Sequence, residues 1–98
     1  MALKNISPSA APSLDNVCYL CDDDAQALCF CAELPVQSSE YFRAGQSGIK
    51  ASKVLAIDSE EYNGETRVIY DEKRYVIYRT YLRQDGLTEL YLTRKAGD

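Results

Sequence analysis

From residue 16 onward the chain alternates short apolar runs with turn signals. Residues 17–21 read as a strand, followed by the acidic turn Asp22-Asp23-Asp24-Ala25-Gln26. Residues 27–34 read as a second strand, stopped at Pro35, which cannot donate to a ladder. Together they predict a hairpin centred near Asp24 and Ala25. That register puts Cys18 opposite Cys31, with Cys29 on the same face and Cys21 on the other. Residues 38–45 carry a different pattern. Serine can cap a helix, Glu40 suits a first turn, and Gly45 or Gly48 can end it. A short helix is predicted at residues 39–45.

The strand pattern then resumes. Lys53–Asp58 places Leu55 and Ile57 on one face. Residues 59–65 form a loop containing Asn63-Gly64, a pair that tolerates positive φ. Residues 66–70 and 74–83 flank the hairpin turn Asp71-Glu72-Lys73. Period-2 alternation puts Val68 and Tyr70 on one face of the first strand, and Tyr75 and Ile77 on one face of the second. Arg74, Tyr78 and Thr80 fall on the opposite face. Gln84-Asp85-Gly86 is a further turn, and residues 88–95 close the set with Leu90 and Leu92 on one face. The candidate core is therefore Val68, Tyr70, Tyr75, Ile77, Leu90 and Leu92. Six short strands and one helix at this spacing predict a mainly-β chain. The fold class is a small antiparallel β-barrel of about six strands with long loops, because closure removes exposed edges.

Composition narrows the picture. Ninety-eight residues make one domain. Residues 1–14 are small, polar and proline-containing and read as a flexible arm; 15–95 form the barrel domain, and 96–98 a tail. There is no histidine, which removes His-based triads and the commonest zinc ligand. The net charge is −4, the wrong sign for a free-standing phosphate-gripping protein. No apolar run is long enough to span a bilayer and the N-terminus lacks a signal-peptide pattern, so the expectation is a cytoplasmically made chain with no membrane partner. Its four cysteines are then expected as thiols.

Candidate chemistry is sparse. Cys18-x-x-Cys21 with Cys29-x-Cys31 superficially resembles a thiolate zinc site. The predicted hairpin turns Cys21 away from the other three, and buried small hydrophobes are the better reading. Asp22-Asp23-Asp24 and Glu60-Glu61 lack any calcium-loop spacing. Ala44-Gly45-Gln46-Ser47-Gly48 lacks the lysine of a phosphate loop and follows a helix instead of leading into one. Arg74, Tyr75, Tyr78, Arg79, Tyr81 and Arg83 interleave on one strand, a pattern that can stack bases in OB-folds. No catalytic, cofactor-binding or metal-binding residue is assigned, and no enzymatic activity is expected.

Residues 33–94 resemble the head–tail adaptor, or head-closure, proteins of long-tailed phages and prophages. Ser39-Glu40-Tyr41-Phe42-Arg43-Ala44 is similar to the family's S-E-[YF]-x-x-A helix, and Gly48-Ile49-Lys50 to its G-[LI]-K turn. Glu61-Tyr62-Asn63-Gly64-Glu65 is similar to its E-Y-N-G-E loop. Residues 70–81 are similar to its Y-x-G-K-x-Y-x-I-x-R-T-Y hairpin, with Glu72 where the family often has glycine. The resemblance implies a small β-barrel in a homo-oligomeric ring at the virion neck, between the portal-side connector and tail-completion or tail proteins. Packaged double-stranded DNA passes through that ring, and the isolated chain can stay monomeric. On this reading the contacts lie in the helix and the loop 59–65. A helix so short must dock, since ~12–15 residues is already marginal in water. Tyr41 and Phe42 are adjacent, so one is expected inward and one free. The expected subunit or connector interface is Glu40, Tyr41, Arg43, Lys50, Glu60, Glu61, Tyr62 and Asn63. A second reading stays open, an OB-like or Sm-like nucleic-acid-binding barrel carried by the Tyr/Arg strand.

Overall fold

The six predicted strands form, and the computed structural model describes them within residues 12–94. They are β1 (Asn16–Cys21), β2 (Gln26–Leu34), β3 (Lys53–Asp58), β4 (Arg67–Tyr70), β5 (Lys73–Leu82) and β6 (Leu87–Arg94). Helix α1 (Ser38–Gln46) lies between β2 and β3, and a 3-10 turn (Ser59–Glu61) follows β3. Every pairing is antiparallel, and the strands close in the order β1-β2-β3-β6-β5-β4, with β4 returning to β1. Closure leaves no unpaired sheet edge. The predicted arm (1–14), apart from residues 12–14, and the tail (96–98) lie outside the described residues.

The barrel interior is filled by the alternate residues of each strand. Cys18 and Leu20, Cys29 and Cys31, Leu55 and Ile57, Val68 and Tyr70, Tyr75, and Leu90 and Leu92 form one buried cluster. Five of the six predicted core positions are buried; Ile77 is only partly buried and packs against the cluster. β3 and β4 are not neighbours, so residues 59–66 must cross one end of the barrel. Tyr62 packs against the core there, its hydroxyl donating to the Glu65 carbonyl at 2.8 Å.

Three local details differ from the sequence-based expectation. The first hairpin pivots on Asp23-Asp24, so Cys18 faces Cys29 and Cys31 lies opposite Asn16. Asp22 sets this register: its Oδ1 accepts from the amides of Asp24 and Ala25, and its own amide donates to the Ala25 carbonyl. The helix starts after Gln37, which makes no side-chain cap, and not on a capping serine. Its other end is a Schellman motif. Gly48 sits at φ 75°, with its amide on the Gly45 carbonyl and the Ile49 amide on that of Ala44. Lastly, the β4–β5 turn has only two residues, Asp71 and Glu72, at φ 53° and 63°. Both positive values mark a type I′ turn, which favours Asn-Gly or Asp-Gly.

Candidate functional site

Helix α1 lies against the outer wall of the barrel, and an irregularity in β5 decides how. The β5–β6 register shifts between Ile77 and Arg79, leaving Tyr78 as an extra residue. A bulge of this kind breaks strict alternation. Tyr78 and Arg79, consecutive in sequence, consequently both reach Glu40 of α1. Arg79 Nε and Nη2 donate to the two carboxylate oxygens of Glu40, and the Tyr78 hydroxyl donates to Oε2. Glu40 is 5% exposed. The Arg79 guanidinium holds its carboxyl below the usual range against the opposing cost of burial, and the Tyr78 hydroxyl adds to the effect.

The polar cluster continues along β6. The Arg79 guanidinium lies 3.7 Å from the centre of the Tyr91 ring, and Tyr78 meets the same ring edge-on at 6.3 Å. The Tyr91 hydroxyl donates to Glu89, which also accepts from Arg83, and Arg83 forks onto Asp85. Burial, helped by Glu89, pushes the Tyr91 phenol up to about 12. A cleft of about 640 Å³ lies between helix and wall, lined by Glu40, Arg43, Arg79, Arg83, Glu89 and Tyr91 over Leu34, Pro35 and Val54. Glu40 is ionised and fully engaged, so it is a clamp for the helix and a poor proton donor at neutral pH.

The predicted interface residues divide on this geometry. Glu40 is buried, and both its carboxylate oxygens are taken up within the chain by Arg79 and Tyr78. Tyr62 is half-buried, packed against the core with its hydroxyl on the Glu65 carbonyl. Tyr41 and Phe42 depart from the expectation that one packs inward: they are 51% and 72% exposed. Glu40 and Ala44 are the buried helical positions, four residues apart, which leaves Tyr41 and Phe42 off the docked stripe. Arg43, Lys50, Glu60, Glu61 and Asn63 are exposed. The loop is held in shape by Asp58, which accepts from the Glu60 amide, and by Glu65, which accepts from the Asn63 amide. Among the described residues no hydrogen bond joins the helix to this loop.

The Tyr/Arg strand is largely spent on the fold. Tyr75 is core, Tyr78 and Arg79 clamp α1, and Arg83 is paired twice. Arg74 and Tyr81 alone of the six remain exposed, too few for a stacking track. The cysteines are free and buried. Hydrogen bonding with Cys29 and Cys31 and burial both raise the Cys18 thiol, keeping it protonated. Cys21 points out of this group and donates weakly to the Tyr19 carbonyl. Among the described residues no three metal-ligating side chains converge, and no helix is long and apolar enough to cross a membrane.

One surface escaped the sequence reading. Val17, Tyr19, Leu28 and Phe30 alternate with the core residues of β1 and β2 and point outward, 39%, 39%, 53% and 58% exposed. They face one another across the ladder, Val17 opposite Phe30 and Tyr19 opposite Leu28. The signal was present: residues 17–20 and 27–32 are apolar in both phases instead of alternating. No protein-family model, curated protein or solved structure matches the chain.

Proposed function

We propose that this chain is a structural head–tail adaptor of a tailed phage or prophage, a ring-forming neck protein of the virion. It would join the portal-side connector to the tail and help retain packaged DNA, after synthesis in the bacterial cytoplasm. The observation that carries the reading is the place of each family-like residue in one connected scaffold. Glu40 of the helix motif is clamped by Arg79 of the hairpin motif, and Ala44 is buried beneath the helix. Gly48 of the G-[LI]-K turn terminates α1. Tyr62, Gly64 and Glu65 of the loop motif fold back on one another across the barrel end. Glu72 stands at φ 63°, a backbone position that suits the glycine of the family pattern.

What remains outward after this accounting is Tyr41, Phe42 and Arg43 on the helix, Lys50, and Glu60, Glu61 and Asn63 on the loop. These are the contacts assigned to neighbouring subunits and to the connector and tail proteins. The net charge of −4 suits a channel through which a duplex must slide, because basic walls would add phosphate attraction. The engaged state of Tyr78, Arg79 and Arg83 weighs against the OB-like or Sm-like alternative.

The test is removal of the chain from the phage or lysogen that encodes it. DNA-filled heads that leak or lack tails are expected, with tails restored by adding the purified chain. The double variants Tyr41→Ala/Arg43→Glu and Glu60→Lys/Glu61→Lys should fail to restore them. Fully tailed, infectious particles without the chain overturn the reading. An electrophoretic shift of DNA or RNA at moderate salt would favour the nucleic-acid-binding alternative.

A further inference from the structure

Besides Tyr81 and Leu82 at the end of β5, two exposed apolar surfaces lie on different elements of the barrel. One is the outer face of β1 and β2, with Val17, Tyr19, Leu28 and Phe30. Ile69 of β4 extends it, since it lies opposite Tyr19 in the ladder and is half-buried. The other is the free side of α1, with Tyr41 and Phe42. In the closed order β1 is separated from β6 by two strands whichever way the barrel is followed. Helix α1 is tied to β5 through Glu40, and the cleft beside it is lined mainly from β3, β5 and β6.

Their charges are complementary. The β1–β2 face is flanked by Asp15 before β1 and by Asp22, Asp23 and Asp24 at the hairpin tip, all exposed. The only basic partner of this acidic rim among the described residues is Arg67, 3.6 Å from Asp23. On the helix side Glu40 is neutralised by Arg79, which leaves Arg43 exposed, with Lys50 exposed beyond the helix end. The sheet face is thus apolar with acidic residues at both ends of the hairpin and Arg67 and Arg74 on its β4–β5 flank, and the helical ridge is apolar with basic neighbours.

We infer that the free side of α1 in one copy docks on the β1–β2 face of the next, so that the chain self-associates head to tail. A contact between two different surfaces of identical subunits is heterologous, and it closes into a ring when the rotation between copies permits. Aromatic residues at the centre of a contact, rimmed by opposite charge, are what such an interface needs for affinity and for register. The choice of a second copy as partner rests on the proposed ring, and the surfaces and their polarity go beyond it.

Phe30→Asp and Phe42→Asp each remove one face while leaving the other intact, and both side chains are exposed enough for the fold to survive. The full-length chain is examined by sedimentation and mass photometry across its soluble concentration range. Wild type should form oligomers with rising concentration. Each variant alone should be monomeric, with association weakened about tenfold or more, as expected for an aromatic anchor. An equimolar mixture of the two variants should give 1:1 dimers that grow no further, because only one good helix and one good sheet face remain between them. Wild type that stays monomeric throughout overturns the inference, as do variants that associate like wild type. A mixture that forms no dimer also overturns it, since an intact helix face and an intact sheet face would then be present without pairing. Particle assembly separates this from the wider reading. Oligomers with the expected behaviour in a chain that restores no tails sink the neck assignment alone. Tails fully restored by both variants sink the interface alone.

Discussion

The β5–β6 side and the β1–β2 side of the barrel share one core and differ in what covers them. On the first, Tyr78, Arg79 and Tyr91 carry polar groups and engage a helix, while Tyr81 and Leu82 at the end of β5 stay exposed. Glu40, Tyr78, Arg79 and Tyr91 satisfy one another there, and no buried side-chain nitrogen or oxygen among the described residues lacks a partner. On the second, Val17, Tyr19, Leu28 and Phe30 point outward, apolar and bare. Burying a carboxylate is costly unless its lone pairs are filled. The covered side therefore depends on a specific set of partners, whereas the bare side contributes little to the isolated fold. Equal chemical changes on the two sides should have unequal consequences.

The largest contrast is expected between two leucines. Leu90 is fully buried, and Leu28 is 53% exposed on the β1–β2 face. Leu90→Ala should lower the unfolding free energy by about 2–5 kcal/mol, while Leu28→Ala, at a surface site, should stay within about 0.5 kcal/mol of wild type. Denaturant titration of both variants checks this, and comparable losses would mean that the outward assignment of Leu28 is wrong.

Breaking the clamp comes next. Arg79→Ala leaves the Glu40 carboxylate without its cation and should cost about 1.5–3 kcal/mol. The pH dependence has a definite sign. The carboxyl of Glu40 titrates lower in the folded chain than its ordinary value of 4.5. It therefore adds stability that is complete above that ordinary value and is lost as pH falls through the lower folded one. Glu40→Gln should be less stable than wild type at pH 7 and should show a shallower acid decline below about pH 4.5. Parallel pH profiles for the two proteins would remove Glu40 from the account.

A smaller effect, of opposite sign, lies in the β4–β5 turn, which bridges the two sides. Glu72 at φ 63° carries the steric penalty of a left-handed residue with a Cβ. Glu72→Gly should raise the unfolding free energy by about 0.5–1 kcal/mol, after allowance for the greater freedom of glycine in the unfolded chain. Thermal melts at matched concentration measure it, and a loss of stability would rule out the type I′ geometry. The smallest effect is expected at the helix tip. Phe42→Ala should leave the unfolding free energy within about 0.5 kcal/mol of wild type while weakening self-association.

Much of this was legible residue by residue. Each strand shows in its own alternation, and the turns show in Asn63-Gly64, Gln84-Asp85-Gly86 and the acidic run at Asp22. Side-chain period and turn chemistry are local, so a short window carries them. The first hairpin slipped because three aspartates can seat a turn in several registers, and the hydrogen bonds of Asp22 choose one. Tyr41 and Phe42 depart from expectation for a related reason. Their adjacency excluded a shared inward direction but could not exclude that both face out.

Local pattern specifies six antiparallel strands, one short helix, an apolar interior and the closure that an edge-free sheet of this size requires. Packing between distant elements makes Tyr78 interrupt the alternation of β5, and makes Glu40 a buried clamp instead of a surface carboxylate. It alone turned one aromatic-rich face toward a helix and left the other uncovered. Distance along the chain accounts for the difference. Glu40 and Arg79 are 39 positions apart, and the worth of each charge depends on a partner that no local pattern announces.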